Sequence, residues 1–372
     1  MQFSTQLIHS GCDIDEATGA LGVPVYQSST FDQKLPQNGE TGGVKREFDY
    51  ARSGNPTRKA LENTIARLEA PAGIGAARGF AFGSGIAAVS SVLGIFAAGD
   101  HIVTAEDIYG GSYRMLNTFF ARWGLENTAV DTSNPENIAR AVQGNTKAVF
   151  LETPSNPLLK ITDLRACAKI AHDAGLITIV DNTFMTPYLQ RPLELGCDIV
   201  IHSATKFLGG HSDVVLGLAV TKTEELGKRV YAVLNGFGAI AAPWDSWLVL
   251  RGIKTLKVRM EAEQETARFL ASALRESDKI DEVFYPGEGA VLSFKTKTKA
   301  QAERFLSTVK LAAYAVSLGG VETIASYPVK MSHAAMPPAE RERLGITDTL
   351  IRISCGLEDA QDLWEDFSHA LQ

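Results

Sequence analysis

Lys206 ends a short run of residues whose types suit imine chemistry. The run is Ile201-His202-Ser203-Ala204-Thr205-Lys206, an apolar stretch followed by two hydroxyl side chains. Burial lowers the pKa of a lysine and supplies the neutral amine that condenses with an aldehyde. Ser203 and Thr205 can hydrogen-bond an anionic group nearby. Most lysines are solvated loop residues, so this run alone leaves that alternative open.

A second candidate is Asp181, a carboxylate that follows the apolar residues Ile179 and Val180. Burying a carboxylate without a cation is costly, and a protonated pyridine nitrogen is a suitable cation. A pyridine ring kept charged in this way accepts the electrons released when a substrate Cα–H bond breaks. The alternative is an aspartate that caps a helix.

A glycine-bearing turn at 82–88 is predicted to bind an anion. Its sequence is Phe82-Gly83-Ser84-Gly85-Ile86-Ala87-Ala88. If a helix starts here, the backbone N–H groups of Gly85 and Ile86 face a phosphate. The spacing fits neither a Walker loop nor a GxGxxG fingerprint, and Phe82 stands where a GxSxG elbow has its first glycine. These nucleotide-binding and hydrolase motifs are therefore excluded.

These candidates need a sheet that brings them together. Short apolar runs at 80–82, 101–103, 148–151, 177–180 and 198–201 alternate with helical segments. Continuous apolar strands of this kind indicate a parallel sheet covered by helices on both faces, that is, a doubly wound α/β core. Ligands bind beyond the carboxyl ends of such strands. The positions to inspect are therefore Glu152, Asp181 and Ser203.

The length of 372 residues favours two or three packed units. The predicted division is an extended amino-terminal arm (1–54), a large domain (55–240) and a smaller α+β domain (241–372). Asn55 and Pro56 have the residue types of a helix start. A long helical stretch at 244–270 is predicted to join the two domains.

Composition narrows the class of ligand. The formal net charge is -7, and the 36 basic and 43 acidic residues form no basic stripe. Nucleic acid and anionic membrane are therefore not expected as partners. The start of the chain lacks the features of a signal peptide, and no run of about 18 apolar residues occurs. Four widely spaced cysteines predict neither a zinc site nor a disulfide framework, so we expect reduced thiols, a cytoplasmic location and a small-molecule ligand.

Seven blocks of sequence resemble one known family almost from end to end. The chain is similar to the cystathionine metabolism (trans-sulfuration) family of fold-type I pyridoxal-phosphate (PLP) enzymes, which have an aspartate-aminotransferase-like fold. The blocks are Tyr50-Ala51-Arg52-Ser53-Gly54-Asn55-Pro56-Thr57, Tyr109-Gly110-Gly111, Glu152-Thr153-Pro154-Ser155-Asn156-Pro157, Asp181-Asn182-Thr183, Ser203-Ala204-Thr205-Lys206, Ser317-Leu318-Gly319-Gly320 and Leu350-Ile351-Arg352-Ile353-Ser354.

The resemblance implies a role for each candidate in cofactor binding. Lys206 resembles the lysine that holds PLP as an imine and later moves protons on the substrate. Asp181 corresponds to the partner of the pyridine nitrogen, and Tyr109 to the ring stacked on the cofactor. The implied phosphate contacts are Gly85, Ile86, Ser203 and Thr205.

The resemblance also implies substrate and subunit contacts. Arg352 corresponds to the arginine that binds the substrate α-carboxylate, with Asn156 and Ser317 beside it. Tyr50 and Arg52 correspond to residues that reach the phosphate in the neighbouring subunit. A homo-oligomer with shared active sites follows, and family members are typically dimers of dimers.

The predicted reaction is a carbon–sulfur lyase reaction on cystathionine or a related sulfur amino acid. Methionine γ-lyases usually carry cysteine at the position of Gly111, and cystathionine γ-lyases an acid at the position of Val316. The junction at 285–294 is shorter than is usual in the family. β-Elimination is therefore favoured slightly over γ-elimination. The alternatives are a γ-replacement transferase, such as cystathionine γ-synthase or an O-acylhomoserine sulfhydrylase, and a binding protein that keeps the fold without catalysis.

Overall fold

The computed structural model describes residues 1–33, 47–70, 76–334 and 336–372. In these ranges the strands are β1 (Arg78–Phe82), β2 (His101–Ala105), β3 (Glu126–Val130), β4 (Thr146–Glu152), β5 (Ile177–Asp181), β6 (Ile199–Ser203), β7 (Gly217–Thr221), β8 (Ile280–Phe284), β9 (Val291–Thr296), β10 (Ala313–Tyr314), β11 (Ile324–Ser326) and β12 (Leu350–Ser354). The helices are α1 (Phe3–His9), α2 (Pro56–Glu69), α3 (Gly85–Leu93), α4 (Gly110–Arg114), α5 (Glu136–Ala141), α6 (Leu164–Asp173), α7 (Thr186–Leu189), α8 (Glu224–Phe237), α9 (Pro243–Ile253), α10 (Leu256–Glu276), α11 (Lys299–Thr308), α12 (Pro338–Leu344) and α13 (Ala360–Ala370). None of the helices within the described ranges is long and apolar enough to cross a membrane.

A seven-stranded sheet in the order β1-β7-β6-β5-β4-β2-β3 forms the larger half of the molecule. Its neighbours are parallel from β3 to β6, and only β7 runs antiparallel to the strands beside it. Its central strands are buried along most of their length, as strands with helices on both faces must be. The predicted doubly wound α/β sheet is confirmed.

Two helices of this half start where their capping residues predict. The side chain of Asn55 accepts hydrogen bonds from the backbone N–H groups of Thr57 and Arg58 at the start of α2, and Pro56 occupies the first helical position. The side chain of Ser84 caps α3 by accepting from the N–H of Ala87. The second cap fixes the helix terminus that faces the strand ends.

A five-stranded sheet in the order β10-β11-β12-β9-β8 forms the smaller half. Its pairs are antiparallel except for β10 with β11. Phe294, Phe305 and Phe367 pack edge to face and join this sheet to α11 and α13. The smaller α+β unit is therefore as predicted, while the boundaries after residues 54 and 240 stay predictions.

The fold differs from the sequence prediction in three places. The arm is not wholly extended, since α1 buries Leu7 against α2; the part of the arm at 34–46 lies outside the described residues. The stretch at 244–270 is two helices, because the chain turns between Ile253 and Leu256 while the apolar spacing continues across the turn. Strands β3 and β7 were not predicted; β3 carries exposed residues, and β7 lies between two antiparallel neighbours.

Candidate active site

A cavity of about 540 Å³ lies at the carboxyl ends of β4, β5 and β6 and reaches the small-sheet half. The structure places every predicted site residue on its wall except Tyr50 and Arg52. The residues on the wall are Gly85, Ile86, Tyr109, Asn156, Asp181, Ser203, Thr205, Lys206, Ser317 and Arg352. One site thus collects residues that are up to 267 positions apart, from Gly85 to Arg352.

Lys206 lies in the turn after β6, where its backbone N–H donates to the carbonyl of Ser203 at 3.1 Å. Its ammonium group donates to the Ser317 hydroxyl across the cavity. Burial, with a smaller effect of the Arg352 charge, lowers the pKa of Lys206 to about 8, although Asp181 acts in the opposite direction. A useful fraction of neutral amine is therefore present near neutral pH.

Asp181 ends β5 and is oriented by its neighbour on the chain. One carboxylate oxygen accepts from the backbone N–H of Thr183 at 3.0 Å and from its hydroxyl at 2.5 Å. The same hydroxyl accepts from the N–H of Ser203 at 2.8 Å, which ties β5 to β6. Burial raises the pKa of Asp181, and the hydrogen bonds from Thr183 and the charge of Lys206 oppose that rise. The site thus favours a cationic ligand atom next to this carboxyl group.

The amino terminus of α3 lines the same cavity as Asp181 and offers hydrogen-bond donors to an anion. The N–H groups of Gly85 and Ile86 are in the first turn, where a helix provides no acceptor. A Cβ atom at Gly85 would lie 2.8 Å from the Ser203 Oγ atom, so only glycine allows this hydroxyl to lie so close to the helix terminus. Thr205 is held by Leu216, whose N–H donates to the Thr205 hydroxyl at 3.0 Å.

Arg352 comes from β12 and is buried at the opposite wall of the cavity. Its guanidinium donates to Asn156 Oδ1 at 2.9 Å, to the Ser317 carbonyl at 2.6 Å and to the Ser326 hydroxyl at 3.1 Å. Burial lowers the pKa of Arg352 to about 10, against the effect of Tyr109 and Glu152. The Nε atom has no hydrogen-bond partner among the described residues, which leaves the group a donor for a carboxylate.

Ser317 connects the two halves through an unusual backbone conformation. Its φ of 86° lies in the left-handed region, where residues other than glycine are strained. The turn packs directly on the backbone that follows Lys206, because a Cβ atom at Gly319 would lie 2.6 Å from the backbone nitrogen of Phe207. The hydroxyl of Ser317 is thereby presented to Lys206.

Sequence reasoning gave no role to several residues on the cavity wall. Glu152, at the end of β4, was marked only by its position after a strand. Arg114 ends the short helix α4, which follows Tyr109, and its guanidinium has no hydrogen-bond or ionic partner among the described residues. Met331, Ser332 and Ala334 form part of the small-sheet wall; only the fold brings this loop to the site.

Tyr50 and Arg52 lie outside this cavity, on the surface. Tyr50 is 47% exposed, and the guanidinium carbon of Arg52 lies 5.4 Å from the centre of its ring. The buried guanidinium of Arg58 holds this segment by donating to the carbonyls of Ala51 and Arg52 at 2.7 and 3.1 Å. Neither side chain contacts the cavity of its own chain.

The arrangement fits PLP at three points. Lys206 offers an amine for the aldehyde, Asp181 a carboxylate for the ring nitrogen, and the α3 terminus donors for the phosphate. Each of these groups lines the same cavity, and the charges of Lys206 and Asp181 influence each other's pKa. These residues thus match the aldehyde, the ring nitrogen and the phosphate of PLP.

Comparison with known proteins agrees with this fit. A family model described as Cys/Met metabolism PLP-dependent enzyme matches residues 4–372. Cystathionine beta-lyase MetC of Bacillus subtilis (strain 168) is 49% identical, with 99% of this chain and 96% of the relative covered. Cystathionine gamma-lyase of the same organism is 48% identical, with 100% of each chain covered.

The fold is also that of a solved relative. The crystal structure of cystathionine gamma-lyase from Lactobacillus plantarum complexed with L-serine matches with a TM-score of 0.94 and 42% sequence identity. The match covers 100% of this chain and 98% of the other. The sequence and fold comparisons therefore point to the same group of proteins.

Proposed function

Because this chain belongs to the Cys/Met metabolism family of PLP-dependent enzymes, we propose that it is a carbon–sulfur lyase that acts on cystathionine or a related sulfur amino acid. The observation that carries the proposal is a single cavity with Lys206, Asp181 and Arg352 on its wall. Relatives of nearly equal identity carry β-lyase and γ-lyase names, so the choice between them rests on the site.

Lys206 is the proton-transfer residue in this account. When bound, PLP supplies an aromatic ring that accepts the electrons of a breaking bond at the substrate Cα. The Lys206 amine takes the Cα proton, for which the lowered pKa of about 8 is suited. Asp181 keeps the ring nitrogen charged. The hydrogen bond from Lys206 to the Ser317 hydroxyl orients the amine inside the cavity.

Arg352 binds and orients the substrate. A guanidinium fork suits the two oxygens of an α-carboxylate, and burial strengthens this recognition by excluding water. Asn156 already accepts from one arm of the fork at 2.9 Å and holds it in place. The substrate Cα is thereby placed between the arginine and Lys206.

Val316 favours β-elimination over γ-elimination. This side chain lines the cavity and is 66% exposed, and it offers no charge to a distal amino group of the substrate. An acidic residue at this position would bind the distal amino group and favour the substrate orientation of a γ-lyase. Because Val316 cannot bind that group, the site fits a reaction in which sulfur leaves directly from Cβ. β-Elimination breaks the Cβ–S bond of cystathionine and, after addition of water, gives homocysteine, pyruvate and ammonia.

A product assay with purified PLP-loaded protein tests this function. Cystathionine alone is expected to yield homocysteine and pyruvate. Cysteine and 2-oxobutyrate instead would establish γ-elimination. Turnover only of an acylated homoserine with added cysteine would overturn the lyase assignment in favour of a γ-replacement transferase.

We also propose that each active site is shared between two copies of the chain, as part of a homo-oligomer. Tyr50 and Arg52 support this proposal, because both are exposed and lie outside the cavity of their own chain. The arm segment that carries them is nevertheless fixed by Arg58. An exposed aromatic and an arginine held in a fixed position are suited to a neighbour's phosphate site.

Complementation between two inactive variants tests the shared site. Arg52→Ala and Lys206→Ala chains are each expected to be nearly inactive alone. A mixed dimer contains one site with both native residues, so random mixing should restore about a quarter of the parent activity. No recovery in mixed dimers shown to form would contradict sharing.

We further propose that the protein works in the cytoplasm. The cysteines Cys12, Cys167, Cys197 and Cys355 are free thiols in the structure. Free thiols suit a reducing compartment. Fractionation of the native cell with detection of the protein in the cytoplasmic fraction tests this location.

A further inference from the structure

Glu152 is a buried acid on the cavity wall to which the proposed reaction gives no task. It ends β4 directly beside Asp181, with which it is paired in the sheet register. Only 6% of its surface is exposed. The one hydrogen bond of its side chain among the described residues is accepted by Oε2 from the backbone N–H of Tyr109, at 2.7 Å.

The surroundings of Glu152 favour a neutral carboxyl group. Burial raises the pKa of Glu152 well above its ordinary value, and the nearby charges of Asp181 and Asp107 add to the rise. The hydrogen bond from the Tyr109 N–H and the charge of Arg352 oppose that rise, but Arg352 donates its hydrogen bonds to Asn156, Ser317 and Ser326 instead. A neutral acid still accepts a hydrogen bond through its carbonyl oxygen.

The Tyr109 segment needs such a support. Tyr109 precedes the five-residue helix α4, and no side chain of the described residues caps that helix. A Cβ atom at Gly111 would lie 2.4 Å from Tyr109 Cε1, so the ring rests directly on the backbone of the helix. Tyr109 is 44% exposed, so much of its side chain lacks packing contacts within the chain.

We infer that Glu152 is a positioning residue that fixes Tyr109 over the cofactor site through the Tyr109 backbone N–H. The inference rests on the proposed function, in which Tyr109 stacks on the PLP ring. It goes further by assigning the support of that ring to an acceptor at the end of β4. The acceptor, and not a negative charge, is what the position requires.

Three substitutions at Glu152 distinguish a requirement for a hydrogen-bond acceptor from a requirement for a negative charge. Glu152→Gln keeps a neutral acceptor at the same reach, and Glu152→Leu removes the acceptor. Glu152→Asp keeps the acid but shortens the side chain by one carbon, which takes the oxygen away from the N–H of Tyr109. Glu106→Gln is the matched control, because Glu106 pairs with Lys160 and Arg343 outside the cavity wall.

The readouts are the dissociation constant for PLP and the visible circular dichroism of the bound cofactor, each measured in parent and Tyr109→Ala backgrounds. Loss of a buried acceptor should weaken PLP binding about tenfold in Glu152→Leu and Glu152→Asp and reduce the dichroism. Glu152→Gln and Glu106→Gln should stay within about twofold of the parent. In the Tyr109→Ala background, Glu152→Leu and Glu152→Asp should weaken PLP binding by no more than about a further twofold.

Two results would overturn the inference. A Gln variant as weak as the Leu variant would show that charge matters, and a full loss in the Tyr109→Ala background would show that Glu152 does not act through Tyr109. If Glu152→Leu does not fold, the Asp variant decides the matter. Failure of the parent protein to bind PLP would instead count against the proposed function.

Discussion

The cofactor side and the substrate side of the cavity are built in different ways. On the cofactor side, Asp181 and Ser203 are both bonded to Thr183, within one sheet and over a short stretch of chain. On the substrate side, Arg352 bonds to Asn156 and Lys206 to Ser317, so each contact joins the two halves of the molecule. The first side is preformed by strand pairing, whereas the second depends on how the halves meet.

This difference suggests that the cofactor side carries out the reaction and that the substrate side selects the substrate. The groups proposed to bind PLP lie at strand ends and at a helix terminus, where backbone hydrogen bonds set their positions. The groups proposed to meet the substrate are Arg352 on β12, Ser317 in a loop of the small-sheet half and Asn156 in the loop after β4. Changes on the cofactor side should therefore abolish the reaction, and changes on the substrate side should alter affinity and products.

The largest effect is expected from Lys206→Ala. Loss of the amine should reduce turnover by about 10³-fold or more and remove the visible absorbance of lysine-bound PLP. Spectra and steady-state kinetics measure both effects. Lys222→Ala, outside the cavity wall, is the control and should behave like the parent. Retained activity in Lys206→Ala would break the assignment of the cofactor side.

A smaller, selective loss is expected from Arg352→Ala. Removing charge-assisted hydrogen bonds to the α-carboxylate should raise KM about 100-fold while PLP stays bound. Arg352→Lys should recover little, because one ammonium group does not reproduce the fork. Arg343→Ala, an exposed arginine paired with Glu106 and Glu340, is the control. An unchanged KM would contradict the division between the two sides.

A pH effect is expected in the reloading of the apo-protein with PLP. Burial lowers the pKa of Lys206 to about 8, so the neutral amine that attacks the aldehyde increases as pH rises through this value. The reloading rate should fall about tenfold for each pH unit below it. Stopped-flow absorbance from pH 6 to 9 measures the rate. A flat profile would contradict the lowered pKa.

The smallest effect is expected from Val316→Glu. A new carboxylate on the cavity wall should bind the distal amino group of cystathionine and raise the ratio of γ- to β-elimination about threefold. Val258→Glu is a matched control, since Val258 is similarly exposed on α10 and does not line the cavity. Quantifying both oxoacids checks the ratio. If the product ratio of Val316→Glu equals that of the parent protein, this position does not determine which bond is broken.

The sequence predicts the cofactor side better than the substrate side for a physical reason. Parallel strands end at one edge of a sheet, so Asp181 and Ser203 can be placed together from the strand pattern alone. The hydrogen bond between Arg352 and Asn156 joins residues 196 positions apart in the sequence and depends on the contact between the two halves. No local pattern encodes such a contact, and Arg352 entered the predicted site only through the family resemblance.

Other features depended on tertiary contacts in the same way. The turn between α9 and α10 is fixed by Arg259, whose guanidinium donates to the carbonyls of Gly252 and Phe207 at 2.8 Å each. The apolar spacing gives no sign of this break. The left-handed backbone of Ser317 likewise lies in a turn whose Gly319 packs closely on Lys206 and Phe207. Both features became visible only in the folded chain.

A crystal structure of the PLP-loaded protein tests the central claim most directly. The account predicts a covalent bond between Lys206 Nζ and the aldehyde carbon of PLP, with the Asp181 carboxylate about 3 Å from the ring nitrogen of the same molecule. A cofactor attached to another lysine, or a ring nitrogen out of reach of Asp181, would contradict it.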